Sequence, residues 1–324
     1  MRHFLASLFM LLAGAANAGP LAIETKPLPA FGKIPGTEQF GGLTWRGGFH
    51  LVGHGSSFGG LSGLSLSPDC STLTAVSDGG FWFRASLTYA DGKLAGLSNV
   101  QWAPMLDEKG KPFRFKITSD AEALASLGNG KYHVGFESSP RIGAYDLSKG
   151  LNAPMKIFPS PKSITEAPFN HELEGLVHFS YGPWAGYDMA LSESFRDAKG
   201  NIRGWLWKSW KTVPFTIRAN GDFAITDAAL LPDGDVLILE RALSADVIPA
   251  MAIRRFDPKG IAMGSLVEPR PVFEGAAPLY AIDNMEGLSV CQRDGETRLT
   301  IVSDDNFNVA LQRTLLLQFT LDTP

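Results

Sequence analysis

One two-strand phrase returns five times along the chain, and an internal repeat of this kind restricts the fold more than any composition value. Each copy opens on a polar or acidic residue, followed by a small residue and an apolar run. A turn comes next, then a strongly apolar strand that closes on Ser, Asp or Glu. The copies are Ser62-Gly63-Leu64 to Ala75-Val76-Ser77-Asp78, Glu122-Ala123-Leu124 to Phe136-Glu137-Ser138, and Glu174-Gly175-Leu176 to Leu191-Ser192-Glu193. Asp227-Ala228-Ala229 to Leu239-Glu240-Arg241 and Glu286-Gly287-Leu288 to Val302-Ser303-Asp304 complete the set. With the small residue as anchor, successive copies stand 60, 52, 53 and 59 residues apart. That spacing suits four antiparallel strands with their loops.

The intervals hold the remaining strand candidates. They are Arg141 to Asp146 and Met155 to Phe158, Gly204 to Trp210 and Val213 to Arg218, then Met251 to Asp257 and roughly Gly264 to Phe273. Pro232-Asp233-Gly234-Asp235 reads as a hairpin turn, since Gly tolerates positive φ. Only Thr314 to Leu321 follows the fifth copy, while a spare strand, Leu43 to Val52, stands near the N-terminus. The economical assembly is an all-β propeller of five four-stranded blades, its ring closed by the N-terminal strand. Closure removes the sheet edges that invite aggregation. A six-bladed ring is the alternative if one further, divergent copy exists.

Residues 1–18 read as an export signal. Arg2 and His3 make a basic start, Leu5 to Leu12 is apolar, and Ala16-Asn17-Ala18 suits a signal peptidase. The run is too short to anchor in a bilayer, and no later stretch approaches the needed length. The expectation is a single mature domain over 19–324, periplasmic or secreted, with no integral membrane segment. A formal charge of −4 gives no reason to expect a nucleic-acid partner. Two cysteines, Cys70 and Cys291, allow one disulfide in an oxidising compartment. Both fall at the channel end away from the acidic residues, on blades that a closed ring makes neighbours. A bridge between them and two separate buried thiols both stay open.

In a propeller blade the start of the first strand and the end of the second share one mouth of the channel. The repeat puts carboxylates at both places: Asp78, Glu122, Glu137, Glu174, Glu193, Asp227, Glu240, Glu286, Asp304 and Asp305. Carboxylates converging at short range repel, so they need cations, shared protons or arginine partners. An all-oxygen set of this kind suits Ca²⁺. Arg84, Arg141, Arg196 and Arg241 follow the strand ends and offer forks for phosphate or carboxylate. They equally suit charge pairing that holds the blades in register.

Other signals carry less. Gly55-Ser56-Ser57-Phe58-Gly59 matches the Gly-x-Ser-x-Gly pattern but lacks the strand-turn-helix flanks that pattern needs, so it reads as a loop. His50 and His54 lie near that stretch and His171 beside Glu172, but no two histidines show zinc-ligand spacing on a convincing element, so a histidine-based metal site is not expected. Trp205, Trp207 and Trp210 read as packing between blades.

At these residues the chain resembles the phytase-like family of exported bacterial proteins with esterase-like activity. The matching phrases are Ser77-Asp78-Gly79-Gly80 with Arg84, Glu-Gly-Leu at Glu174 and Glu286, and Asp227-Ala228-Ala229 with Leu239-Glu240-Arg241. The most specific is Ile282-Asp283-Asn284-Met285-Glu286-Gly287-Leu288 with Ser303-Asp304-Asp305-Asn306-Phe307. The resemblance spans roughly Gly59 to Leu321. It implies a propeller and ester hydrolysis, and the propeller phytases it points to depend on calcium.

The first functional expectation is therefore a metal-assisted hydrolase of a small anionic ester, a phosphoester above others. Asp78, Arg84, Arg141, Arg241 and Asp305 are its catalytic candidates. Glu137, Glu174, Glu193, Glu286 and Asp304 are its candidate ligands for Ca²⁺. The alternative is a non-catalytic periplasmic binding or scaffolding propeller with a structural calcium site. Open coordination at the acidic mouth separates the first from the second.

Overall fold

The computed structural model describes residues 19–54, 58–168, 173–244 and 248–322. The expected export signal lies outside these residues, as do Gly55, Ser56 and Ser57 of the Gly-x-Ser-x-Gly stretch, and His171 and Glu172.

Five antiparallel sheets follow one another around a channel, with almost no helix. From channel to rim, blade one orders Leu61–Leu66, Thr72–Ser77, Phe81–Ala90 and Lys93–Pro104. Blade two orders Ala121–Gly128, Lys131–Phe136, Arg141–Asp146 and Lys156–Phe158. Blade three orders Leu173–His178, Asp188–Arg196, Ile202–Lys208 and Lys211–Ile217. Blade four orders Ala224–Leu230, Val236–Leu243, Pro249–Phe256 and Arg270–Ala276. Blade five takes Asn284–Arg293, Glu296–Asp304 and Thr314–Leu321, and is completed by Leu43–Gly53 from the other end of the chain. The ring thus has five blades and not six, and the N-terminal strand closes it.

Most expected strands lie within a residue or two of the observed ones. The exception is the stretch expected over Gly264 to Phe273. Only Arg270–Ala276 joins blade four, while Leu266–Val267 runs parallel to Lys211–Ile217 and extends blade three. The turn at 232–235 forms as expected, with Gly234 at φ +93°.

Buried side chains among the described residues gather in five clusters, one at each blade interface. Trp205 and Trp207 lie on one strand face in the cluster between blades two and three. Trp210 does not join them: it sits in the following turn, 95% exposed. Cys70 and Cys291 form a disulfide across the interface of blades five and one, with Cα atoms 5.4 Å apart. No helix among the described residues is long and apolar enough to cross a membrane.

Every inner strand carries a β-bulge at one equivalent place. Its ladder skips between Leu61 and Leu64, Ala121 and Ala123, Leu173 and Gly175, Ile225 and Asp227, and Met285 and Gly287. The bulged residues are Ser62, Glu122, Glu174, Thr226 and Glu286, spaced 60, 52, 52 and 60 apart. The small residue that follows has a steric cause, because neighbouring inner strands touch there. A Cβ on Gly63 would stand 2.6 Å from the backbone N of Leu124, and one on Gly287 would stand 2.3 Å from the carbonyl O of Ser62.

Blade four departs from the expected alignment by one residue. Thr226, not Asp227, occupies its bulge, and Asp227 takes the small-residue position. The Asp227 carboxylate is buried there and accepts from the backbone N–H groups of Ala228 and Leu288, each at 2.7 Å. It ties blade four to blade five.

Candidate active site

A bulge places one extra residue on its strand and re-aims that side chain. At this mouth it does so for Glu122, Glu174 and Glu286. For each second strand, the residue that follows the ladder partner of the pre-bulge residue answers from the other side: Asp78, Glu137, Glu193, Arg241 and Asp304. Together these eight side chains line a cavity of about 450 Å³, joined by Lys116, Asp120, Ser138 and Asn306. Blade four supplies the arginine because of its one-residue offset. Glu240, one position short of the mouth, is fully buried instead and meets Arg254 through two hydrogen bonds at 2.5 and 2.7 Å.

Eight carboxylates and two cationic groups line the cavity. Arg241 hydrogen-bonds Glu193 at 3.0 Å and Asn284 at 2.6 Å, and its Nη1 lies 3.2 Å from Glu286. Lys116 donates to Asp78 at 2.5 Å and also to Asp120, which accepts from Ser138 as well. Among the described residues, three carboxylate oxygens are buried with no hydrogen-bond partner: Asp78 Oδ1, Glu174 Oε2 and Glu286 Oε2. A glycine makes room for the first of them. A Cβ on Gly60, at φ +64°, would stand 1.9 Å from Asp78 Oδ1.

Burial and mutual repulsion act in one direction on these acids. Burial, then Glu122 and Glu286, push the Glu174 carboxyl well above the usual range. Burial, then Asp78 and Asp120, do the same to Glu122, and burial, then Asp78 and Glu286, to Asp304. Glu286 is pushed up to about 7, chiefly by burial and then by Glu193, with Arg241 opposing. Burial raises Asp78 too, against the pull of Lys116. The donors are all oxygens and three are unsatisfied, the chemistry of a hard divalent cation such as Ca²⁺. The residues present therefore fit such an ion.

Of the ten catalytic and metal-ligand candidates, seven converge: Asp78, Glu137, Glu174, Glu193, Arg241, Glu286 and Asp304; Glu122, expected at this mouth as well, joins them. Three do not line the cavity. Arg84 lies on the third strand of blade one and donates to Thr74 at 3.4 Å. Arg141 stacks over Phe136 at 4.0 Å and donates to the carbonyl groups of Ser139 and Thr118, which holds the segment carrying Lys116. Asp305 is buried as a loop clamp, accepting from Gly60 N at 3.2 Å, Phe307 N at 3.0 Å and Thr314 Oγ1 at 3.0 Å. Arg196, on the second strand of blade three, donates to the carbonyls of Gly200 and Gly221. Lys116, Asp120, Ser138 and Asn306 were not anticipated. The short helix Lys116–Ser119 delivers Lys116 from a connection with no counterpart in the repeat.

A family model described as phytase-like, with the esterase-like activity of phytase, matches residues 56–307. The chain belongs to this phytase-like family. The matched span contains every residue lining the acidic cavity. No curated protein sequence matches the chain. Among solved structures it is similar to the N-terminal domain of Nup159, at 10% identity over 91% of this chain and 100% of that one, TM-score 0.38. It is also similar to the Dos1 propeller, at 11% identity over 87% of this chain and 76% of that one, TM-score 0.36.

Proposed function

We propose that this phytase-like protein is an exported, metal-assisted hydrolase of small anionic esters, phosphoesters above others, and that the acidic mouth is its active site. The observation that carries this reading is the trio of buried, unpartnered carboxylate oxygens on Asp78, Glu174 and Glu286 in an open cavity. With all groups ionised the lining would carry six more negative charges than positive ones. It would repel an anionic ester without a compensating cation. Asp78, Asp120 and Glu122, whose carboxylate oxygens lie within 4.8 Å of one another, would hold Ca²⁺ with Glu174 and Asp304 from the same lining. When bound, such an ion polarises a phosphoryl oxygen and lowers the pKa of a coordinated water.

The remaining work falls to the protein's own groups. Lys116, more than half exposed at the rim, is placed to meet an anionic oxygen entering the cavity. Arg241 holds Glu193 and fixes Glu286 together with Asn284, whose Nδ2 donates to Glu286 Oε1 at 2.7 Å. That leaves Glu286 Oε2 facing no partner, on a group that titrates near neutrality and so can exchange protons with water or a leaving group. The disulfide supports maturation in an oxidising compartment, periplasmic or extracellular.

Purified protein assayed on generic phosphate and acetate esters, with Ca²⁺ and with a chelator, tests the reading. Calcium-dependent turnover that is lost in folded Asp78→Asn and Asp304→Asn variants is the expected result. Calcium-dependent stabilisation without turnover on either ester class overturns it and leaves a binding propeller with structural calcium.

A further inference from the structure

A second group of ligand-type side chains sits between blades two and three, toward the other mouth. Asp188 opens the second strand of blade three and pairs across the ladder with His178. His133 comes from the second strand of blade two. Asp188 Oδ1 lies 3.0 Å from His178 Nδ1 and 3.0 Å from His133 Nδ1. The Asp188 and His133 side chains are 4% and 5% exposed, and His178 is 18% exposed. Phe158 packs on the His133 ring with centroids 3.8 Å apart, which fixes its orientation.

Burial pushes the Asp188 carboxyl up, but the hydrogen bonds from His133 and His178 together outweigh it and hold the group below its usual range. The carboxylate is thus an acceptor only, and each ring donates from Nδ1–H. A clamp between two blades needs only one such ring. Here two nitrogens from different blades converge on a single oxygen, and one ligand atom from each residue lies within 4.8 Å of the others. Adjacent ligands of an ion bound at about 2.0–2.2 Å stand roughly 3 Å apart, as these nitrogens do from the oxygen.

We propose that His133 Nδ1, His178 Nδ1 and Asp188 Oδ1 form a binding site for a divalent transition-metal ion of the zinc class. Two imidazoles and one carboxylate leave further coordination positions open. His178 lines the cavity of about 860 Å³ at this end of the channel, which connects the site to solvent. On binding, each ring gives up its Nδ1 proton, keeps one on Nε2, and presents the freed Nδ1 lone pair to the ion. Among the described residues, no histidine lines the acidic mouth. The two ends of the channel would therefore select cations by ligand softness: nitrogen with oxygen at one, oxygen alone at the other.

The full chain, kept in excess Ca²⁺ to occupy the acidic mouth, is titrated with Zn²⁺ while ¹⁵N resonances of the histidine rings are followed. The expected result is one equivalent of Zn²⁺ that converts both rings to the Nε2–H form. Folded His178→Gln should weaken binding at least about tenfold. Co²⁺ in place of Zn²⁺ should give visible bands of a nitrogen-ligated ion that this variant lacks. Nδ1–H retained on both rings at saturating Zn²⁺ overturns the proposal, as does unchanged affinity in His178→Gln. The readout is ligation and not turnover, so its failure leaves the ester-hydrolase reading untouched.

Discussion

Arg241 stands where the other four blades put a carboxylate, and much of the site depends on it. Breaking a buried ion pair from one side leaves an uncompensated charge and costs about 3–5 kcal/mol. Arg241→Ala abandons Glu193 and Glu286 together. Urea unfolding at neutral pH without calcium should show a loss of that size, with part recovered on adding Ca²⁺. Glu174 carries the opposite expectation. Its charge is crowded by Glu122 and Glu286 in a buried place, so Glu174→Gln removes repulsion while keeping shape. In chelator it should melt above wild type, by roughly 1 kcal/mol or more in stability, and Ca²⁺ should raise its Tm by less. A variant less stable than wild type under those conditions would refute like-charge crowding at this position.

At the scale of the strand, a one-residue slip decides which side chains reach the mouth, because successive residues point to opposite faces. The repeat was legible since the bulge recurs at every inner strand and a small residue follows it, for steric reasons, in four of the five. In blade four the acidic residue is Asp227, one place past the bulge, so pattern matching aligned it with Glu174 and Glu286 and selected Glu240 beside it. The ladder puts Thr226 and Arg241 in those places. Lys116 and Asp120 were harder to see, as they lie on the connection from blade one into blade two, outside the repeated phrase. Their one trace is a Lys four residues ahead of an Asp, just before the second copy. His133, His178 and Asp188 had none, since His178 and Asp188 meet only as ladder partners and His133 reaches them from the neighbouring blade. The disulfide joins elements 221 residues apart, and the chain-entropy model assigns such a loop about 5 kcal/mol. The Cys70→Ser, Cys291→Ser double variant should lose about 3–5 kcal/mol in urea unfolding; a loss under 1 kcal/mol would place little constraint in that bridge.

The molecule as a whole should have two opposed pH limbs. Glu286 rises to about 7 when folded, and Asp78, Glu122, Glu174 and Asp304 rise with it. The folded state therefore holds protons that the unfolded chain releases. Stability from these groups is complete below their unfolded values near pH 4–4.5 and is lost as pH rises toward 7, at about 1.4 kcal/mol per unit for each group titrating. Glu296, drawn down to about 2 mainly by its hydrogen bond with Arg46, acts in reverse: its contribution is present above about pH 4.5 and fades on acidification. Chelated protein should be most stable in mild acid. Saturating Ca²⁺ should abolish the upper limb and move the optimum to neutrality. Unfolding midpoints across pH 4–8, with and without calcium, check this; chelated protein that gains stability steadily up to pH 7.5 would contradict it.

Blade five takes its fourth strand from near the start of the chain, with Leu51 opposite Thr314. One edge of that strand pairs with Ile23–Pro27; the other must wait during synthesis while nearly all the remaining residues are made. Four blades can form as they emerge, but the circle and its channel come into being only with the last strand. The acidic mouth draws Asp304 and Glu286 from that final blade, so a nascent or truncated chain lacks a finished cation site. At the site proposed above, calcium would then meet an assembled ring and no earlier intermediate. The ion would act as a proofreader of completed chains, stabilising those whose two ends have found each other.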